Sequence, residues 1–141
     1  MKATGIVRRI DDLGRVVIPK EVRRSMNIRE GDALEIYTTN DGICFKPYSP
    51  YREDLEFYVK GFLDGLAVKV AVYDHFGNLV CASFDKAPFR YKDGDAYYGI
   101  GARDGELYAR IVPCEEVSED TEKYFDAMAN VIAKYLEMKE S

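Results

Sequence analysis

One histidine and three cysteines in 141 residues leave few ways to hold a metal or run nucleophilic chemistry. Cys44, Cys81 and Cys114 are odd in number and widely spaced, with no C-x-x-C pair, which argues against both a disulfide framework and a zinc site. They read as small buried hydrophobes, with redox sensing by one of them as the alternative. His75 follows Asp74 in a stretch of turn chemistry, and no Ser/His/Asp or Cys/His set accompanies it. Gly99 and Gly101 open like a dinucleotide fingerprint, but the third glycine is Gly105, one position late, and no strand-to-helix turn follows. The expectation is a protein that is not an enzyme and carries no cofactor and no metal. No apolar run approaches the ~20 residues that cross a bilayer. The start MKATGIVRRIDD has no apolar segment before a cleavage site, so a cytoplasmic location away from membranes is expected. No internal repeat is found.

What is present is an ordinary globular composition, 47% apolar and 32% charged, enough for one domain or two small ones. A net charge of -5 argues against a polyanion as partner, but the charge is unevenly spread. Residues 1–29 hold eight Lys/Arg against three acids, a net of +5, whereas residues 51–141 hold 11 against 18, a net of -7. Such an asymmetry suggests a basic binding end joined to an acidic module of different purpose.

Along the basic end, GIVRRID at 5–11 and RVVI at 15–18 predict two strands joined at Asp12-Leu13-Gly14. Pro19 stops the second strand and suits the start of a helix over Lys20 to Met26, with Val22 and Met26 on its inner face. Asn27 and Glu30-Gly31-Asp32 end it, and a second hairpin follows around Asn40-Asp41-Gly42, giving the order β-β-α-β-β. So short a unit buries little apolar surface alone. Two copies whose hairpins interleave would close the sheet edges and complete a core.

Lys46-Pro47-Tyr48-Ser49-Pro50 reads as a linker between domains at 1–50 and 51–141. Beyond it a helix is predicted over 51–66, with Leu55, Val59, Phe62 and Leu66 as the seam of a short coiled coil or of a helix packed across a dimer. Strands are predicted at 68–73, 79–84, 96–101 and 106–112, with turns at His75 to Asn78 and at Asp104-Gly105. A last helix over 118–139 is capped by Ser118 and carries an apolar stripe of Phe125, Met128, Ile132 and Tyr135. The overall class is α+β.

Arg8, Arg9, Arg15, Arg23 and Arg24 are the candidate site residues. Two strands and a helix can bring them to one side, where guanidinium forks suit phosphate oxygens and the edge of guanine. Solvated surface charge paired with Asp11, Asp12 and Glu21 is the plainer reading. The run TGIVRRIDDLGRVVIPKEVRRSMNIREGDALEIY closely resembles the N-terminal DNA-binding domain of the AbrB family of bacterial transition-state regulators, and within that family its sporulation regulators most. That resemblance implies a swapped-hairpin, β-barrel homodimer binding double-stranded DNA. It implies Arg8, Arg15, Arg23 and Arg24 as contacts, with Arg9 where the family also has a basic residue. It further implies transcription regulation at varied sites read partly through shape and flexibility.

Sporulation regulators of the family carry a GAF-like domain after the linker, and residues 51–141 look like a shortened version of one. Tyr73, Phe84, Phe89, Tyr91, Tyr97, Tyr98 and Tyr108 are pocket-lining candidates there, with ordinary strand core as the plainer reading. A small-molecule effector is left unknown, as is the pairing of dimers into tetramers. Two rivals stand beside the regulator: a toxin-neutralising antitoxin, whose class shares the swapped-hairpin fold, and a small-molecule-binding protein.

Overall fold

The computed structural model describes residues 3–102 and 105–140, the side chain of Glu140 excepted. The chain divides into two compact units, Met1–Asp32 and Ala33–Ser141.

Among the described residues of the first unit no strand forms. Residues 3–10 and 15–19 run without secondary structure on either side of a tight turn, joined by an Asp11 N–H bond to the Arg15 carbonyl at 3.0 Å. Gly14 meets the turn's demand for a left-handed backbone, with φ +80°. The two strands expected here are therefore absent from the single chain. The residues have the β-branched composition of strands, but a ladder needs partners for its N–H and C=O groups, and none is at hand within the unit. Their side chains are correspondingly bare, with Val7 82% and Val17 72% exposed. Pro19, at φ -59°, sets the entry to α1 (Lys20–Ser25), and Val22 and Met26 are half-buried as the spacing predicted. Asn27 takes a left-handed φ of 55°, and the helix goes no further.

The second unit opens with an antiparallel hairpin, β1 (Leu34–Thr39) and β2 (Gly42–Pro47), in register from Leu34 opposite Pro47 to Thr39 opposite Gly42. It touches no other helix or strand of its unit, and Ile36, Ile43 and Phe45 lie exposed on it. Because β2 runs through Pro47, only Tyr48-Ser49-Pro50 remains of the expected linker.

The rest is a four-stranded antiparallel sheet, ordered β4 (Leu79–Ala82), β3 (Val70–Asp74), β6 (Leu107–Pro113), β5 (Tyr98–Gly101). Two helices, α2 (Arg52–Leu63) and α3 (Glu119–Glu140), cover one face. The central strand β3 is buried on both sides by simple alternation. Val70 and Val72 join Leu55, Val59, Ile111, Phe125 and Ile132 beneath the helices. Ala71 and Tyr73 face the other way, packing with Val112 and with Ala87, Phe84 and Tyr91 of the strap over residues 83–97. The β3–β4 turn is tied by Asp74, whose Oδ1 accepts the N–H groups of Phe76 and Asn78 at 2.9 and 3.0 Å. Ser118 caps α3 as expected, its hydroxyl accepting the Thr121 N–H at 3.2 Å.

Three expectations shift in this unit. The seam of α2 faces its own sheet and α3 rather than a second chain: Leu55, Val59 and Leu63 are buried, with Phe62 and Leu66 at the margin. On α3 the fourth member of the stripe is Leu136, while Tyr135 is 45% exposed and stacks on Tyr58. None of the three cysteines is fully buried, Cys114 being exposed. The predicted turn at Asp104 lies outside the described residues. No helix among the described residues is long and apolar enough to cross a membrane.

Candidate nucleic-acid interface

The five candidate arginines all lie in the first unit and all are exposed. Arg8 and Arg9 stand on the extended segment before the turn, Arg15 just after it, and Arg23 and Arg24 in the last turn of α1. Two of them are held in the same way. The Nε of Arg15 donates to Asp11 Oδ2 at 2.8 Å, and that of Arg23 donates to the Ile18 carbonyl at 3.1 Å. Tethering Nε fixes the plane of a guanidinium and leaves its two terminal NH2 groups pointing outward, the donors that meet phosphate or a guanine edge.

Asp11 serves the turn as well. Its Oδ1 accepts the Leu13 and Arg15 N–H groups at 2.9 and 2.8 Å, so one carboxylate closes the corner and orients the arginine beyond it. The Arg15 N–H, then its guanidinium, hold the Asp11 carboxyl below the usual carboxylate range. That pairing is a part of the plain charge-pair reading that the structure contains. It does not hide the arginine, whose side chain stays 70% exposed. Arg8 Nη1 donates to the Val7 carbonyl at 3.0 Å. Nothing in the sequence pattern singled out Asp11 as an orienting group, although an acid four residues before an arginine across a glycine turn carries that signal.

Among the described residues no group of three or more His, Cys, Asp or Glu side chains stands ready to hold a metal ion. Cys81 borders a groove of about 450 Å³ with Glu56, Lys60 and Ser83. Burial pushes its thiol up to about 11, so it stays protonated at neutral pH and is a poor redox sensor. Of the pocket-lining aromatics, Tyr73 and Tyr108 are buried core, while Phe89 is exposed.

Comparison with known proteins bears on this arrangement. A family model described as antidote-toxin recognition MazE, bacterial antitoxin, matches residues 7–53. Stage V sporulation protein T of Bacillus subtilis is 42% identical over 135 residues, 94% of this chain and 64% of that protein. The transition state regulatory protein AbrB of the same organism is 60% identical over 50 residues, 36% of this chain and 52% of that protein. The chain thus spans between half and two thirds of the length of these relatives. A solution structure of the N-terminal DNA recognition domain of Bacillus subtilis AbrB shares 60% identity over 36% of this chain and 94% of that one, at a TM-score of 0.31. With identity of this level at the basic end, and running on through most of the acidic one, the chain is similar to these Bacillus subtilis regulators over most of its length.

Proposed function

We propose that this protein is a sequence-dependent, double-stranded-DNA-binding transcription regulator that acts in the cytoplasm as a homo-oligomer. Residues 1–50 form the DNA-binding domain, as a swapped-hairpin dimer whose Arg8, Arg9, Arg15, Arg23 and Arg24 meet the duplex. Residues 51–141 form a shortened GAF-like domain that modulates it. The observation that carries the reading is the pair of arginines anchored by Nε, in a stretch whose sequence is 60% identical to a DNA recognition domain. The dimer draws support from exposed apolar residues of the first 50 positions. Extended segments with bare Val7 and Val17, and a hairpin with exposed Ile36, Ile43 and Phe45, are what an interleaved partner would cover.

The test is the salt dependence of DNA affinity. If four arginines from each of two chains meet phosphates, log K falls against log salt with a slope of about -7, from roughly -0.9 per contact. Arg23→Ala should shallow that slope by about 2, one contact in each chain, and leave the melting temperature in place. A slope near zero, or a variant that loses its fold, removes the reading.

The antitoxin alternative is favoured by the match of residues 7–53 to the antidote family model. Against it stands the packed core that follows, with Phe125, Ile132 and Leu136 of α3 buried on the sheet, where a toxin-binding tail would be unstructured until bound. Limited proteolysis that leaves residues 51–141 intact favours the regulator.

A further inference from the structure

We propose that Arg110, standing in the corner between Tyr91 and Tyr97, binds the carboxylate of a small organic acid. The proposal deepens the modulating role put forward above for residues 51–141, naming a ligand class for it, and its chemistry stands on the second unit alone.

Arg110 lies on β6 in the middle of the sheet, opposite Tyr73 of β3 and Gly99 of β5. Cross-strand partners share a face, and Tyr73 belongs to the face turned away from the helices, so Arg110 does too. Its guanidinium carbon is 5.0 Å from the ring centres of both Tyr91 and Tyr97. Those rings stand at 89° to each other, two walls of a corner with the cation between them. Leu107 supplies an apolar wall, since it fills the space beside Gly99 so closely that a Cβ there would meet its Cδ2 at 2.7 Å.

Two other half-buried arginines of this unit, Arg52 and Arg90, are matched by oxygens. Arg52 donates to the Leu79 carbonyl at 2.7 Å and faces Asp74, and Arg90 donates to Asn78 Oδ1 at 2.7 Å. Arg110 is different: among the described residues its buried Nε has no hydrogen-bond acceptor, and the ring faces of Tyr91 and Tyr97 flank its guanidinium. An arginine cannot escape such a place by losing its proton. Ring faces hold the charge but accept no N–H bond in its plane, so the edge of the fork is left for an oxygen ligand.

The surroundings narrow what that ligand is. A guanidinium edge matches a carboxylate with two parallel N–H···O bonds. Phenol faces and a leucine favour an organic group behind the carboxylate. Asp93 and Asp95 act on the Tyr91 side of the corner with negative charge, which disfavours polyphosphates and other multiply charged anions. The strap that carries Tyr91 is pinned by its N–H bond to the Gly77 carbonyl and by the Tyr73 hydroxyl bond to the Pro88 carbonyl, so this wall is in place beforehand. Tyr97, 44% exposed, is the open side.

The experiment is a titration of the full-length, DNA-free chain with benzoate, acetate and inorganic phosphate, following the Arg110 Nε–H resonance by ¹⁵N NMR. Benzoate should move that resonance saturably, acetate more weakly and phosphate least. Benzoate should also raise the melting temperature of the wild type but not of Arg110→Met, with Arg110→Lys in between for want of the fork. No saturable movement at roughly 10 mM benzoate, where a millimolar Kd would already be nearly filled, overturns the proposal. So does phosphate saturating first. Should Arg110→Met fail to fold, the wild-type titration alone decides. Because no DNA is present, failure here leaves the DNA reading standing, and loss of DNA binding leaves this titration unaffected.

Discussion

At the scale of single residues, the first unit turns on Asp11. One of its oxygens shapes the turn and the other aims Arg15. A negative charge beside a DNA contact ought to weaken binding, so a charge effect and an orienting effect predict opposite signs for its removal. Asp11→Asn keeps an Oδ1 acceptor for the backbone but gives up the charged partner of Nε. If orientation dominates, DNA affinity falls severalfold, while simple charge relief would raise it. Filter binding at fixed salt reads the sign. The pH behaviour follows from the lowered carboxyl: its contribution is complete above the ordinary carboxylate range and is lost only as pH falls through its own, lower value. Near neutral pH this turn adds no pH dependence to binding.

At the scale of elements, α3 is the member on which the second unit depends. Ile132 and Leu136 are fully buried against the sheet, so Ile132→Ala should destabilise the unit by about 2–5 kcal/mol in denaturant unfolding. Tyr135→Ala should cost far less, since it removes a half-exposed ring stacked 5.0 Å from Tyr58. This contrast also marks what the sequence made legible. Its periodicity placed both long helices, all four sheet strands and the capping serine. The choice between Tyr135 and Leu136 was beyond it, because neighbours 100° apart on a helix both border an apolar stripe, and only the position of the sheet decides between them. Leu63 was missed for the same reason. Residues 5–18 show the opposite failure, with strand composition but no strand, because pairing is a property of two segments. Arg110 left no trace in the pattern at all, since its setting joins residues 91, 97 and 110 from three separate stretches.

At the scale of the whole molecule, uncovered Val17 on the segment after the Gly14 turn and Ile43 on the β1–β2 hairpin are residues an interleaved partner would bury. Val17→Asp and Ile43→Asp should each shift the chain from dimer toward monomer in sedimentation equilibrium and abolish DNA binding together with it. The sheet of the second unit should keep its near-UV signature. Variants that stay dimeric and bind normally would remove the interleaved arrangement. The bare extended arms around Asp11 carry a further consequence. If the reader of DNA exists only when two chains meet, its abundance rises with the square of chain number at low copy. Halving expression would then cut promoter occupancy about fourfold, and amides of residues 5–18 would exchange with solvent freely on dilution while those of β3 stay protected.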